Sequence, residues 1–510
     1  MKTFLRHGAG LLLGLILFGM TTWNLDSTPP VWWDEGWTLS VARNWVSDGH
    51  YGRYLLGEPA PPGLEAAFPV TASVALSFRL LGVGLIQGRI PSVLFTLATL
   101  ALLYYLARHL YNRQVAITAL LVLLFTPFHP DLHPVIAGRQ VLGEMPALFF
   151  LLTGYAIFLS ARDQPLLALP LAACFWGTAL ITKLQVVPFW LASLIVPLAI
   201  TMFTRRWKLV LLLVVGLGAS LIWARLLLLL QQLIFDRATN PLTPIPGLYY
   251  VTALVSAPQA RAHAFVLAVS FGIPTVAALC YGIWRLISDK PNLLAPNQRD
   301  VVRLSLVVLV TSWFIWFLIF SAGWPRYLFP ITVVASIFVA AMVIGLTAHL
   351  HLLPSRHHQI VPNTGTRWPN KRNIASVLVI LLITVSVPFT LRMLYRSYVK
   401  DADSSVLQVV HFLNTETPFN SMIETYDPEL FFLLERPYHY PPDPLHVDLI
   451  RRFFFGEAIS LVYDPLERNP DYLVVGQRSK IWPLYDPVLS TGEFRSLKSY
   501  GGYQIYQRLR

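Results

Sequence analysis

The sequence predicts an all-α polytopic transmembrane protein, a bundle of about eleven apolar helices followed by a small α/β C-terminal domain. Three observations predict it. Hydrophobic residues make up 55% of the 510 and charged residues only 13%. The mean hydropathy is +0.55. The apolar residues also fall into runs of about 20, the length that crosses a bilayer. A soluble chain of this size would have to hide more apolar surface than one core holds, so lipid must solvate much of it.

Taken in order, the runs lie near 8–24, 90–108, 115–128, 145–161, 166–181, 186–203, 209–233, 264–287, 303–321, 327–348 and 374–393. Lys2 and Arg6 ahead of the first run imitate a signal peptide. No small-x-small cleavage site follows at Thr21 to Asn24, so an uncleaved first helix is expected. The formal charge is +12, but its Lys and Arg sit in short clusters between apolar runs, which argues for membrane orientation and against nucleic-acid binding. With a cytoplasmic N-terminus, the clusters Arg108/Arg113, Arg205/Arg206/Lys208, Arg285/Lys290/Arg299/Arg303 and Arg356/Arg367/Lys371/Arg372 all fall on the cytoplasmic side. Cys174 and Cys280 lie inside apolar runs and read as core residues.

Three longer parts then face outward: a first loop over 25–89, a loop over 234–263, and everything after 393. The boundaries expected are a membrane module over 1–393 and an extracytoplasmic domain over 394–510. Within the first loop, Trp37–Val46 and Leu64–Leu81 carry the pattern of helices lying along the membrane surface and roofing a cavity. In the C-terminal part, strands are expected at Ser421–Tyr426, Ile459–Tyr463 and Tyr472–Val475, a helix at Val406–Leu413, and a hairpin at Gly501-Gly502.

Asp34 and Glu35 follow the first span, among Trp32, Trp33 and Trp37. They read equally as acidic residues in the first turn of a helix within an aromatic belt, or as carboxylates of differing pKa, one serving as general base. Glu144 stands at the outward end of the fourth span, where a carboxylate is costly unless it faces protein or water. Arg139 is near enough in sequence to pair with it. Lys183 and Arg326 interrupt apolar stretches on the outer side, against the expected bias of positive charge. Either they snorkel to headgroups, or they gather at the carboxylates' depth to hold an anionic group such as a phosphate. His129, Asp131 and His133 have metal-ligand spacing, but Pro127, Pro130 and Pro134 prevent the regular helix that would align them. Gly10 and Gly14 form a GxxxG, more often packing than function, and Arg356-His357-His358 reads as a solvated loop. Neither a phosphate-binding P-loop, a dinucleotide-binding glycine pattern nor a Gly-x-Ser-x-Gly elbow is present.

The Trp-Asp-Glu stretch, Pro61-Pro62, Gly88-Arg89-Ile90-Pro91, Arg139 to Glu144, Thr182-Lys183 and Arg326-Tyr327-Leu328-Phe329-Pro330, in that order, resemble the GT-C glycosyltransferases of the dolichyl-phosphate-mannose protein mannosyltransferase and aminoarabinose (lipid A) transferase type. The resemblance is densest over 30–190 and returns at 323–330. It implies a GT-C-like bundle and an inverting enzyme that takes a sugar from a polyprenyl-phosphate carrier on the outer face of the membrane. The acceptor would be a lipid, glycan or protein. Asp34 then matches the acidic residue beside the acceptor and Glu35 its motif partner. Glu144 stands where the family usually has Asp. These three are the expected catalytic residues, and Arg139, Lys183, Arg326 and Tyr327 the expected substrate-binding ones.

Direct attack on an anomeric carbon needs a base for the hydroxyl proton and cations for the departing phosphate, so no cofactor is required. A divalent metal would be compatible, but no ligand cluster calls for one. A transporter or flippase of a lipid-linked saccharide is the rival. It calls for polar residues at mid-membrane depth or broken helices in two related halves, whereas these charges gather at the outer boundary. The lack of any Asn-x-Ser/Thr site in long outward segments points towards a bacterial plasma membrane.

Overall fold

The computed structural model describes residues 14–60, 67–161, 164–235, 248–288, 296–347 and 371–509. Lys2, Arg6, Gly10, Pro61, Pro62, Leu64, Lys290, Arg356 to His358 and Arg367 lie outside them. The helices run α1 (14–22), α2 (Trp33–Asp48), α3 (Phe68–Leu81), α4 (Leu85–Leu110), α5 (Arg113–Phe125), α6 (Pro134–Ala137), α7 (Glu144–Ser160), α8 (Pro165–Thr182), α9 (Val186–Phe203) and α10 (Trp207–Phe235). They continue with α11 (Leu248–Thr252), α12 (Pro258–Phe271), α13 (Ile273–Ser288), α14 (Gln298–Ile319), α15 (Pro325–Thr347) and α16 (Lys371–Tyr395).

Every apolar run expected to span is mainly helical over its described residues. Among the described residues, six helices are individually long and apolar enough to cross a membrane, or seven if α12 and α13 make one, against the eleven runs expected. Length explains part of the difference, since α5 and α7 extend only about 20 and 26 Å against a hydrocarbon core of about 30 Å. The run expected as one span over 264–287 is broken at Gly272, where α12 and α13 bend by 73°. There the Gly272 Cα lies against the Ala268 carbonyl and the Phe314 ring, leaving no room for a Cβ.

α15 forms the centre of the bundle, with 78% of its most apolar stretch buried, whereas α10 has 17% buried and turns Leu211, Ile222 and Leu233 outward. A face of that kind is stable only against lipid. The chain is an integral membrane protein.

After the last long helix come a π-helical turn at Arg396–Lys400, α17 (Ser405–Glu416), β3 (Ile423–Thr425), a 3-10 turn at Pro428–Leu430, β4 (Tyr438–His439) and α18 (Asp443–Phe455). β5 (Tyr472–Val475), α19 (Gln477–Ile481), α20 (Asp486–Leu489), β6 (Phe494–Tyr500) and β7 (Tyr503–Arg508) complete it. The first loop carries the small ribbon β1 (Tyr54–Leu55) and β2 (Glu58–Pro59). The C-terminal sheet has the order β4-β3-β5-β7-β6, parallel between β4, β3 and β5 and antiparallel between β5, β7 and β6. Gly501 and Gly502 form the β6–β7 turn, with Gly501 at φ +52°. One expectation fails: Ile459–Tyr463 is not a strand; β4 and α18 form where no element is expected.

α2 was expected on the membrane surface but is roofed by this C-terminal sheet region. Trp33 stacks on His446 at 4.3 Å and donates its indole N–H to the Tyr426 carbonyl at 2.9 Å. Trp37, one turn on, meets Phe431 and Tyr440. Arg53 of the first loop grips both oxygens of Asp443 at 3.0 and 2.7 Å. Between the two Trp, the Gly36 backbone touches that of Pro428 and Glu429 so closely that a Cβ would fall inside it. Gly36→Ala should therefore part α2 from the sheet region, costing about 1–3 kcal/mol. A thermal melt of the purified variant, read against wild type, checks this.

Beneath this contact lie two carboxyls, Asp427 and Glu429, each with one oxygen lacking a hydrogen-bond partner. Burial pushes both upward from the usual carboxylate range, and Asp427 pushes Glu429 further. The folded protein thus holds protons that the unfolded chain has released. Stability should be greatest below an unfolded carboxylate pKa of about 4.3 and fall as pH rises from there towards the raised folded values. Melting temperatures measured from pH 5 to 8 should decline less steeply in Glu429→Gln.

Candidate active site

Successive residues of a helix point about 100° apart, and at the start of α2 this separates the two carboxylates. Glu35 points into the bundle and is fully buried, as is Arg89 of α4, which meets it through two bonds of 2.8 Å. The same carboxylate accepts from the backbone N–H of Trp32 at 3.1 Å, capping α2, and from that of Val141 at 3.2 Å. With its oxygens so occupied, Glu35 has no place at a reacting atom. The catalytic role expected of it is corrected to a positioning one.

Asp34 turns the other way and forms an ion pair with Arg326, in the first turn of α15. Its side chain keeps 31% of its exposure. Burial works against its ionisation, but Arg326 outweighs that, with smaller help from Arg478 and His446, and holds the carboxyl at about 2. Glu144 opens α7 and pairs with Lys183, the residue that closes α8. Arg326 lies within electrostatic reach of both carboxylates, and so does Lys183. The Tyr327 ring lies 5.7 Å from the Lys183 ammonium and 5.5 Å from the Arg326 guanidinium, within cation–π range of both.

Glu144 and Arg326 line a cleft of about 440 Å3, counting its open mouth, together with Trp32, Asp131, Gln140 and Phe329. Asp34 reaches this cleft through its partner Arg326. Five of the seven expected site residues thus come together: Asp34, Glu144, Lys183, Arg326 and Tyr327.

Arg139 does not join them, and neither pairs with Glu144 nor faces the cleft. It is fully buried, donates to the Trp23 carbonyl and lies over the Tyr398 ring at 5.2 Å. The short α6 and the loop after it turn its side chain towards α1 and the π-helical turn, which corrects its expected substrate-binding role. Each histidine of the possible metal motif uses one ring nitrogen locally, and the Nδ1 of His133 is buried without a partner among the described residues. His129 accepts from the Asp131 N–H at 3.2 Å, and His133 contacts the Leu124 carbonyl at 3.0 Å. Among the described residues no group of three His, Cys, Asp or Glu converges on one point.

Two further groups reach the site, of which the sequence marks Asp131 only within a possible metal motif and Arg478 not at all. Asp131 enters the cleft from a 3-10 turn, its carboxyl pushed up by burial against the pull of His129 and Arg326. Arg478, from α19, lies 4.6 Å over the Trp32 ring and acts electrostatically on Asp34. Nothing local in Gln477-Arg478-Ser479 marks it; only the folded sheet brings it to α2.

Residues 68–224 match the sequence profile of the dolichyl-phosphate-mannose-protein mannosyltransferase family. Among solved structures, ArnT from Cupriavidus metallidurans bound to undecaprenyl phosphate superposes with a TM-score of 0.63 at 16% identity, covering 98% of both chains. The chain has the GT-C fold. The likeness of fold extends over the whole length, because the apo form of the same ArnT covers 99% of this chain at a TM-score of 0.62 and 15% identity. The archaeal oligosaccharyltransferase AglB from Archaeoglobus fulgidus, in complex with an inhibitory peptide and a dolichol-phosphate, shares the GT-C fold at a TM-score of 0.55 and 13% identity. It covers all of this chain and 75% of its own. No curated relative matches the chain.

Removing one member of a buried pair strands the other charge, so Glu35→Ala should destabilise this GT-C protein by about 3–5 kcal/mol. Loss of the folded monodisperse peak at growth temperature is the expected readout. A Glu35→Ala protein that melts like wild type would contradict the positioning role.

Proposed function

We propose that the protein is a glycosyltransferase that moves a sugar from a polyprenyl-phosphate carrier to a hydroxyl of a lipid, glycan or protein acceptor, by a single inverting displacement. The observation that carries this reading is the meeting of Asp34–Arg326 with Glu144–Lys183 at one end of the bundle, beside a cleft. In the proposed step the acceptor oxygen attacks the anomeric carbon and its proton passes to an Asp34 oxygen. The bond from the anomeric carbon to the phosphate oxygen breaks, and polyprenyl phosphate departs with the bonding pair. Lys183 and Arg326 receive the developing charge on that phosphate.

Arg326 holds Asp34 far below the pKa a general base needs. A phosphate entering the cleft competes for Arg326, so donor binding loosens the Asp34 pair and raises its basicity in place. The base is thereby strengthened only when a leaving group is present. Glu144 then keeps Lys183 charged and oriented, a supporting part compatible with its extra methylene. The GT-C relatives support the donor class, since one is bound to undecaprenyl phosphate and another to a dolichol-phosphate.

In this reading 1–393 form the catalytic membrane module and 394–510 an extracytoplasmic domain. The active site faces away from the cytoplasm in a bacterial plasma membrane. Arg108 at the end of α4, Arg113 at the start of α5, Arg285 in the last turn of α13, and Arg299 and Arg303 at the start of α14 support that orientation.

The test is transfer from a panel of polyprenyl-phosphate sugars by purified protein. Asp34→Asn should lower turnover about 100-fold or more while retaining lipid-phosphate binding. Unchanged turnover rules Asp34 out as base. Arg326→Ala should weaken affinity for undecaprenyl phosphate about tenfold to hundredfold, and unaltered affinity would leave the Asp34–Arg326 pair a purely structural one.

A further inference from the structure

A second cavity, of about 750 Å3 counting its open mouth, lies at the other end of the bundle. Tyr111, Tyr281, Arg285, Arg303, Ala341 and Gly345 are among its walls. Gly345 follows Arg326 along α15 by nineteen residues (345 − 326), about 28 Å at 1.5 Å per residue. The two sites are therefore separated by most of a membrane's thickness.

The cations of this cavity are underemployed. Arg303 has two buried guanidinium nitrogens, Nε and Nη2, without a hydrogen-bond partner among the described residues. Its acidic neighbour Asp300 stands 3.5 Å from Nη2, at the limit of hydrogen bonding, and spends its other oxygen on the N–H of Asn297 in the cap of α14. Arg299, close by, is fully engaged in donating to the Leu110 and Tyr111 carbonyls at the end of α4. Arg285 joins Arg303 at the cavity and lies within electrostatic reach of the same Tyr111 ring. Buried donors left unmet cost free energy, and native structures satisfy nearly all of them. Two guanidinium groups beside two phenol hydroxyls make a donor set shaped for a phosphate.

The rest of the wall is apolar, with Val307, Phe338 and Ile344. On the same turn of α13, Trp284 faces outward at 52% exposure, as tryptophans do at a bilayer interface. The Tyr281 hydroxyl lies directly over Gly345, where any Cβ would strike it. That close approach sets the phenol hydroxyl end-on against α15 at the cavity wall.

We propose that this cavity is a binding site for a phosphate headgroup, held by Arg285 and Arg303 with the Tyr111 and Tyr281 hydroxyls, and filled from the adjacent bilayer leaflet by an anionic phospholipid. Basic pockets between membrane helices recognise lipid headgroups by this chemistry. The site is separate from the reaction centre and does not depend on the activity proposed for it.

The full chain, delipidated in detergent, would be titrated with phosphatidylglycerol, diacylglycerol and inorganic phosphate, with bound ligand counted by native mass spectrometry. Phosphatidylglycerol should bind with a stoichiometry of one at this site, and Arg285→Gln/Arg303→Gln should weaken it about thirtyfold. Diacylglycerol, which lacks the phosphate, should bind no differently to the two proteins. Saturation by inorganic phosphate as tight as by the lipid would keep the phosphate site but assign it to a soluble source. Should the double variant fail to fold, Ala341→Phe blocks the cavity with its charges intact and should lose the same ligand. Equal phosphatidylglycerol affinity in wild type and a folded variant overturns the proposal.

Discussion

The buried pair between Glu35 and Arg89 is the interaction on which the site depends. Two charges taken out of water are tolerated only with good geometry and with their remaining hydrogen-bonding capacity met. Here the fork of Arg89 takes both carboxylate oxygens, its third nitrogen reaches the Leu25 carbonyl at 2.9 Å, and two backbone N–H groups complete the shell of Glu35. The pair ties together the end of the first helix, the start of α2, α4 and the connection before α7. Once Glu35 is locked inward, helical geometry leaves Asp34 facing Arg326.

The charges of the cleft occupy helix ends, and the peptide dipoles treat them unequally. Glu144 at the start of α7 and Lys183 at the end of α8 each sit where the dipole favours their sign. Arg326, in the first turn of α15, sits where it does not. Asp34 compensates for that mismatch, so the pair is held from both sides by other parts of the fold. It is also the pair that an incoming anion is best able to open.

Much of this was legible beforehand where the physics is local. The apolar runs carried the helices, because a lipid-facing helix needs little beyond length and hydropathy. Charges that interrupted those runs pointed to Glu144, Lys183 and Arg326, because only a shared polar site makes their cost bearable. Glu35 and Arg139 were misread for a common reason. Adjacent or nearby sequence positions do not fix direction, and a buried Arg looks the same in sequence whether it meets substrate or a backbone carbonyl. The break at Gly272 was hidden within a continuous apolar run. Arg478 was beyond reach, and Asp131 was visible only within the metal-like spacing of His129 and His133, since each enters the site through packing between segments far apart in the chain.

The fit of α2 under the sheet has an implication for exchanging parts between proteins of this fold. Trp33, Gly36 and Trp37 are matched in shape to Tyr426, Pro428, Phe431 and His446, some four hundred positions later. A chimera that exchanged only the terminal region would present the wrong contour to this helix, and the carboxylate beside it would be re-aimed. Swaps of the terminal region therefore need to carry the Trp32–Trp37 segment along with the sheet.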